Sequence, residues 1–191
     1  MLSGKGFTKA YNVSGGIKAW HAKTALGPPD LGMELFSGME SPEDILKVAY
    51  SLELGLEEFY ISMEKKAENK QVKSLFLNLS KIEVKHQLSL VNAYNEMSQE
   101  DVTREEFETM VETKAMEGGL TTDQYMELFN PDLDSPTEVI SLAMSIEAQA
   151  LDLYQRVGAS ITQAESRDII HGIANEEKSH LASLGRLMDS L

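Results

Sequence analysis

The sequence predicts an all-α protein whose main part is a four-helix bundle. From Ser41 onward, apolar residues recur at spacings of three and four in four long segments, as they do on the buried face of a helix. About forty residues separate the second segment from the third, which is too long for a tight turn between neighbouring helices. The first and third segments also begin alike, at an offset of 94 residues (135 − 41). This layout favours two pseudo-symmetric helical hairpins joined by a long helical crossover.

Residues 1–30 differ from the rest because they are rich in glycine and contain the only tryptophan. The stretch FTKAYNV alternates and contains β-formers, which predicts a short strand. After the glycine pair at 15–16, IKAWHAKTAL is predicted to form a short helix that ends at the Gly-Pro-Pro of 27–29. We expect residues 31–40 to be a linker and residues 41–191 to form the bundle.

Two helix starts are well marked. SPED at 41–44 and SPTE at 135–138 each offer an N-cap serine, a proline at the first helical position and an acidic residue that suits the positive end of the helix dipole. Within the crossover, the pattern predicts one helix from Thr103 to Met116, ended by a glycine pair, and a shorter helix within 122–129.

Composition limits the functions that this chain can perform. The 191 residues include 17 basic and 31 acidic side chains, which gives a formal charge of −14 and argues against nucleic acid and anionic membranes as partners. The absence of cysteine excludes disulfides, thiolate nucleophiles and iron–sulfur clusters. No run of about 18 apolar residues could span a bilayer, and the N-terminus lacks the apolar region of a signal peptide. We therefore expect a soluble, cytoplasmic protein that holds any metal through carboxylate and imidazole.

The internal repeat contains polar residues as well as apolar ones. When SPEDILKVAYSLELGLEEFY (41–60) is placed over SPTEVISLAMSIEAQALDLY (135–154), Ser, Pro, Ala, Ser, Glu and Tyr coincide without a gap. The same offset places one Glu-x-x-His motif over a second one. The repeated polar pairs are Glu53 with Glu147, Tyr60 with Tyr154, Glu83 with Glu177, and His86 with His180.

The repeated glutamates lie inside the apolar stripes, where a carboxylate without a partner would be costly to bury. Two neutral imidazoles cannot balance four converging negative charges, whereas two divalent cations can. Glu-x-x-His places both side chains on one helical face, and one Glu from each of two helices with Glu-x-x-His from each of the other two is the ligand set of ferritin-like di-metal bundles. The predicted metal ligands are Glu53, Glu83, His86, Glu147, Glu177 and His180. These donors suit iron, manganese or zinc alike.

Three further side chains near these ligands have two interpretations each. Glu57 lies one turn beyond Glu53 and is either a surface group or an extra ligand. Tyr60 and Tyr154 are either ordinary core aromatics or hydroxyls that hydrogen-bond the ligand carboxylates, and their repetition favours the second interpretation.

Taken together, Glu53 with Tyr60, Glu83-x-x-His86, Glu147 with Tyr154 and Glu177-x-x-His180 resemble the rubrerythrin branch of the ferritin-like superfamily. The resemblance implies a non-haem di-iron carboxylate centre that reacts with hydrogen peroxide or dioxygen in oxidative-stress defence, in a chain that forms homodimers. On this interpretation Glu83 and Glu177 bridge the two irons, and the two tyrosines orient carboxylates or help to manage protons.

Two departures from rubrerythrins bear on function. Rubrerythrins carry an extra glutamate three residues after the third-helix ligand, where this chain has Ala150, and they commonly append a rubredoxin domain with four cysteines. We therefore expect a symmetric site of four glutamates and two histidines, with electrons supplied by another protein. Two alternatives stay open: an iron-binding or ferroxidase protein that sequesters or oxidises Fe(II) without sustained turnover, and a structural metal-binding bundle that holds zinc.

The N-terminal stretch GKGFTKAYNVSGGIKAW resembles the last strand and helix of a rhodanese domain. With no cysteine it can form no persulfide, so we expect a non-catalytic fragment with no sulfurtransferase activity. It is either part of a truncated fusion or a decayed remnant. A lone strand needs a partner to stay ordered, and residues 7–20 are therefore predicted to pack on the bundle or on a second subunit.

Overall fold

The computed structural model describes residues 30–36, 41–112 and 115–190, and all regular secondary structure within them is helical. The predicted all-α class is confirmed. The strand, the helix and the packing predicted for residues 7–20 lie outside the described residues. Six α-helices follow one another, α1 (Pro42–Lys66), α2 (Lys70–Ser98), α3 (Arg104–Glu108), α4 (Thr122–Phe129), α5 (Pro136–Ser160) and α6 (Ala164–Asp189), with 3₁₀ turns at Met33–Phe36 and Glu117–Gly119.

Helices α1 and α2 form one antiparallel hairpin, and α5 and α6 form the other. Both predicted starts are confirmed, because the Ser41 hydroxyl accepts a hydrogen bond from the Asp44 amide at 3.1 Å and Ser135 caps α5 in the same way. The Asp134 carboxylate, just before α5, accepts hydrogen bonds from two amides in the α1–α2 turn, those of residues 68 and 69, at 2.7 Å each. This contact ties the two hairpins together at one end of the bundle.

The buried apolar side chains form two clusters, one toward each end of the bundle. The first contains the buried apolar residues within 45–54 of α1 and 150–157 of α5, and the second contains those within 56–63 of α1 and 139–146 of α5. The glutamates predicted as ligands lie on these helices where one cluster gives way to the other. The fold therefore places a polar layer across the middle of an apolar core.

The crossover contradicts the predicted helix over 103–116, because α3 ends at Glu108. Phe107 is anchored between Tyr50 and Tyr94, with ring centroids 5.0 and 4.9 Å away. Beyond it the main chain lies directly on α1: a Cβ added at Gly55 would be only 2.6 Å from the carbonyl oxygen of Ala115. The backbone is extended at Met116 (φ −98°, ψ 177°), so the chain follows a non-helical path at this point. The second crossover helix, α4, occupies residues 122–129 as predicted.

The described part of the predicted linker packs on α5. Phe36 is buried and its ring meets that of Tyr154 edge-on at 6.2 Å. The Arg156 guanidinium donates a hydrogen bond to the carbonyl oxygen of Leu31 at 2.8 Å. In the described part of the chain, no helix is both long enough and apolar enough to cross a membrane.

Candidate metal centre

All four repeated glutamates are buried in the middle of the bundle. Glu53 on α1 and Glu147 on α5 are each 3% exposed, while Glu83 on α2 is 1% exposed and Glu177 on α6 is fully buried. Each lies near the middle of a helix of at least 25 residues, so the backbone that carries it is fixed by packing on both sides. The sequence repeat thus becomes a ring of carboxylates contributed by four helices.

The two hairpins each form a half-site of two glutamates and one histidine. In the first, His86 Nδ1 lies 2.8 Å from Glu83 Oε2 and 3.5 Å from Glu53 Oε2. The second half-site consists of Glu147, Glu177 and His180, and its imidazole Nδ1 lies 3.2 and 3.0 Å from the two carboxylates in that order. Within each half-site one ligand atom of every residue lies within 4.8 Å of the others.

The half-sites face each other across a pseudo-twofold axis. The rings of His86 and His180 stack with centroids 3.8 Å apart and planes only 7° from parallel. All six predicted ligands therefore converge on one volume. The imidazoles are 14% and 15% exposed, more than the carboxylates they contact, so they form the edge of the site that is nearest to solvent.

Several potential metal-ligand atoms in this volume have no hydrogen-bond partner. Among the described residues, these orphaned buried atoms include Glu53 Oε2, Glu83 Oε2, His86 Nδ1 and Glu177 Oε1. The short contact between His86 and Glu83 is thus not a well-aligned hydrogen bond, although it brings nitrogen and oxygen to 2.8 Å. Buried oxygen and nitrogen atoms that converge without forming hydrogen bonds to one another are typical of a metal site, because the ion supplies the missing interaction. The residues present fit a di-metal centre.

Burial dominates the electrostatics of the ion-free site. It raises the pKa of Glu83 and of Glu177 well above the usual value for a carboxyl group, and the neighbouring glutamates raise them further. Burial lowers the pKa of His86, but the carboxylates of Glu53 and Glu83 outweigh this effect and raise that pKa to about 10. Protons therefore hold the charges together when no cation is bound, and a cation must displace them.

A fifth buried glutamate, Glu117, reaches the site from the crossover. It is fully buried and forms a third possible metal-binding group with Glu53 and Glu177, again within 4.8 Å. Burial and the neighbouring carboxylates raise its pKa well above the usual value. The sequence analysis missed this residue because it lies in neither copy of the repeat and in no apolar stripe. The one signal available was its position directly before a glycine pair in a long crossover.

The two repeated tyrosines are both fully buried next to the carboxylates, but their hydroxyls differ in bonding. The Tyr154 hydroxyl lies 3.5 Å from Glu117 Oε1, whereas the Tyr60 hydroxyl has no hydrogen-bond partner. Tyr154 thus contacts a carboxylate outside the predicted set, and the hydrogen bond expected for Tyr60 is not found. Burial raises the pKa of both phenols well above the ordinary value, so both stay protonated.

Glu57 has partners other than the predicted ligands. The Gln87 side-chain amide donates a hydrogen bond to its Oε2 at 2.8 Å, and Arg104 of α3 lies 3.6 Å from the same atom. These contacts direct its carboxylate toward α2 and α3. They favour the interpretation of Glu57 as a group outside the ligand set.

The family comparison matches the bundle. The family model described as Rubrerythrin matches residues 44–188, a range that contains the six predicted ligands and Glu117. A solved structure of a hypothetical protein from Pyrococcus furiosus is similar to this chain, with 21% identity and a TM-score of 0.49 over 83% of this chain and 94% of that chain. Among curated proteins, none matches. These matches give no support to the rhodanese-like interpretation of residues 1–30.

Proposed function

This chain belongs to the rubrerythrin family, and on that premise we propose that it is a non-haem di-iron oxidoreductase that reduces hydrogen peroxide or dioxygen. The observation that carries the proposal is the pair of half-sites, each with two glutamates and one histidine, that face each other in one buried layer with unsatisfied donor atoms. In this proposal an external protein supplies the electrons, and a second copy of the chain completes a homodimer.

The residues divide the work between holding metal and shaping access. Glu53, Glu83 and His86 would hold one ion and Glu147, Glu177 and His180 the other, with Glu83 and Glu177 serving both ions. When bound, two iron ions supply the two electrons that cleavage of an O–O bond requires (H₂O₂ + 2e⁻ + 2H⁺ → 2H₂O). Manganese or zinc fits the same donors, but zinc has no redox chemistry to offer.

The protein environment limits which molecule reaches the ions. The apolar clusters on either side of the polar layer keep bulk water away from it, and the partly exposed imidazoles are its nearest approach to solvent. Both tyrosine hydroxyls stay protonated beside the carboxylates, so they can donate hydrogen bonds there but cannot add further negative charge. This environment suits a small neutral oxidant such as hydrogen peroxide or dioxygen.

A second candidate function is single-turnover handling of Fe(II), and Ala150 favours it. This residue is fully buried on α5, one turn after Glu147. The resemblance implies a glutamate at this position in rubrerythrins that reduce peroxide. Without that side chain on α5, the protein could oxidise or store Fe(II) without cycling.

Turnover separates these functions. The protein is loaded with Fe(II) without oxygen and then given hydrogen peroxide with an excess of a reductant. Many peroxide molecules consumed per site support the oxidoreductase, and a single turnover supports Fe(II) handling. The matched control is Glu127→Gln, which removes one exposed crossover carboxylate and should turn over like the wild type. Absence of any spectral change on adding peroxide would leave only the structural bundle and overturn the proposal.

A further inference from the structure

We propose that Glu117 is a seventh protein ligand of the metal centre, a carboxylate that the crossover inserts between the two half-sites. The inference rests on the proposed di-metal site and adds a residue to it that lies outside the repeat. It rests on the position of the carboxylate, on the few partners that could offset its charge, and on the fixed path of the main chain around it.

The position of Glu117 is shared between the two half-sites. Its carboxylate forms one possible metal-binding group with Glu53, which belongs to the first half-site, and Glu177, which belongs to the second. The group therefore combines ligands from both half-sites, whereas each half-site takes its three residues from one hairpin. A carboxylate has two oxygens and can contact two cations at once, so Glu117 is placed to contact both ions or to bridge them.

The Glu117 carboxylate has few partners within the protein that could offset its charge. It is fully buried, its Oε2 has no hydrogen-bond partner, and its Oε1 has the long 3.5 Å contact with the Tyr154 hydroxyl. The other side chain in hydrogen-bonding reach is that of Glu177, which is itself a glutamate of the site. A buried carboxylate is strongly destabilising unless it is paired with a charge or bound to a metal. The groups that surround it are mostly other glutamates, which increase the need for a cation.

The main chain around Glu117 is fixed in one path. The Tyr125 hydroxyl donates a hydrogen bond to the Glu117 carbonyl oxygen at 2.8 Å. Gly118 has a φ of +80° and Gly119 a φ of +84°, which favour glycine. Neither position has room for a side chain: a Cβ at Gly118 would overlap Gln149 on α5, and one at Gly119 would lie 2.8 Å from the Cα of Gly32. Two glycines and a buried tyrosine thus hold Glu117 facing the site.

Two consequences follow from a fifth carboxylate. Five negative charges exceed by one the four positive charges of two divalent ions, so the centre favours an added proton or a higher metal charge. Because the crossover occurs once in the chain, Glu117 has no pseudo-symmetric counterpart and makes the two metal positions inequivalent. Its backbone also passes beside Ala150, where α5 offers no carboxylate of its own.

The test compares the ion-free full chain with Glu117→Gln and with the exposed-site control Glu127→Gln, using Co(II) as the probe. Calorimetric titration should give two Co(II) per wild-type and control chain, and an affinity about tenfold or more weaker for Glu117→Gln. Its visible Co(II) absorption should also change. Wild-type affinity and an unchanged spectrum in Glu117→Gln would overturn the inference while leaving the six-ligand site intact. If the wild type fails to bind two Co(II), the proposed di-metal site itself fails.

Two measurements distinguish a ligand from a merely structural carboxylate. Without metal, Glu117→Gln should melt at the wild-type temperature or above it, because the variant no longer buries an ionisable carboxyl group among other glutamates. Co(II) should then raise its Tm less than that of the wild type. A lower Tm in the ion-free variant would indicate a structural role and contradict the inference. Independently of any variant, a crystal structure of the zinc-loaded wild type should place a Glu117 oxygen about 2.0–2.2 Å from zinc. A Glu117 carboxylate that contacts neither ion would overturn the inference.

Discussion

The two pseudo-symmetric tyrosines provide a matched pair of single-residue tests. Tyr60 buries a hydroxyl that has no partner, so Tyr60→Phe should leave the free energy of unfolding unchanged or raise it. Tyr154→Phe removes the long hydrogen bond to Glu117 and should lower that free energy by up to about 1 kcal/mol. Urea unfolding of the ion-free variants measures both changes. A larger loss in Tyr60→Phe than in Tyr154→Phe would contradict the hydrogen bonding described above.

Proton binding by the buried groups predicts the pH dependence of the ion-free protein. Folding raises the pKa values of Glu83, Glu117 and Glu177 above the ordinary 4.5, and that of His86 from 6.5 to about 10. Above the ordinary values the folded chain holds protons that the unfolded chain releases, so the free energy of unfolding falls as pH rises. Urea unfolding in a chelator should show lower stability at pH 8.5 than at pH 5.5, and the opposite order would refute this account.

Single-residue sequence reasoning worked where a residue was repeated and failed where it was unique. Glu53 and Glu147 could be predicted because each interrupts an apolar stripe at the same place in the repeat, and burial follows from that position. Glu117 has no periodic context, because its burial depends on a main-chain path that only tertiary packing determines. Glu57 was ambiguous for a related reason: its partners, Gln87 and Arg104, come from two other helices.

At the scale of elements, the glycine pair of the crossover determines where Glu117 points. Gly118→Ala should destabilise the fold by about 1–3 kcal/mol and weaken metal binding, because its φ is positive and the added Cβ would overlap Gln149 and Tyr125. Gly172→Ala is the control: this exposed position on α6 has no neighbour within 4 Å of an added Cβ, so it should stabilise the protein by roughly 0.5–1 kcal/mol. Thermal unfolding checks both signs, and a neutral Gly118→Ala would show that the turn is not constrained.

The starts of α1 and α5 could be predicted from the sequence, but the crossover only partly. Caps and apolar stripes determine α1 and α5 locally, so the sequence contained what was needed. The predicted helix over 103–116 ended early because Phe107 and Gly55 impose contacts with distant parts of the chain. Tertiary contacts with α1 therefore outweigh the local helical propensity of this segment.

For the whole molecule, duplication explains both the symmetry of the centre and its charge. Two hairpins bring four glutamates together, and two divalent ions offset four of the 14 excess negative charges of the chain, which leaves −10 (−14 + 4). Without ions, the buried glutamates must take up protons to avoid placing like charges together in the middle of the core. The bundle thus has a centre that could hold cations, and on the proposed function metal occupancy should stabilise the entire fold.

Counting bound iron tests the central claim most directly. The full chain is reconstituted with Fe(II) without oxygen, freed of loosely bound metal, and analysed for iron together with Glu83→Gln and the control Glu127→Gln. We predict two irons per chain in the wild type and the control, and fewer than two in Glu83→Gln. Less than one iron per wild-type chain, or two irons retained by Glu83→Gln, would contradict the account.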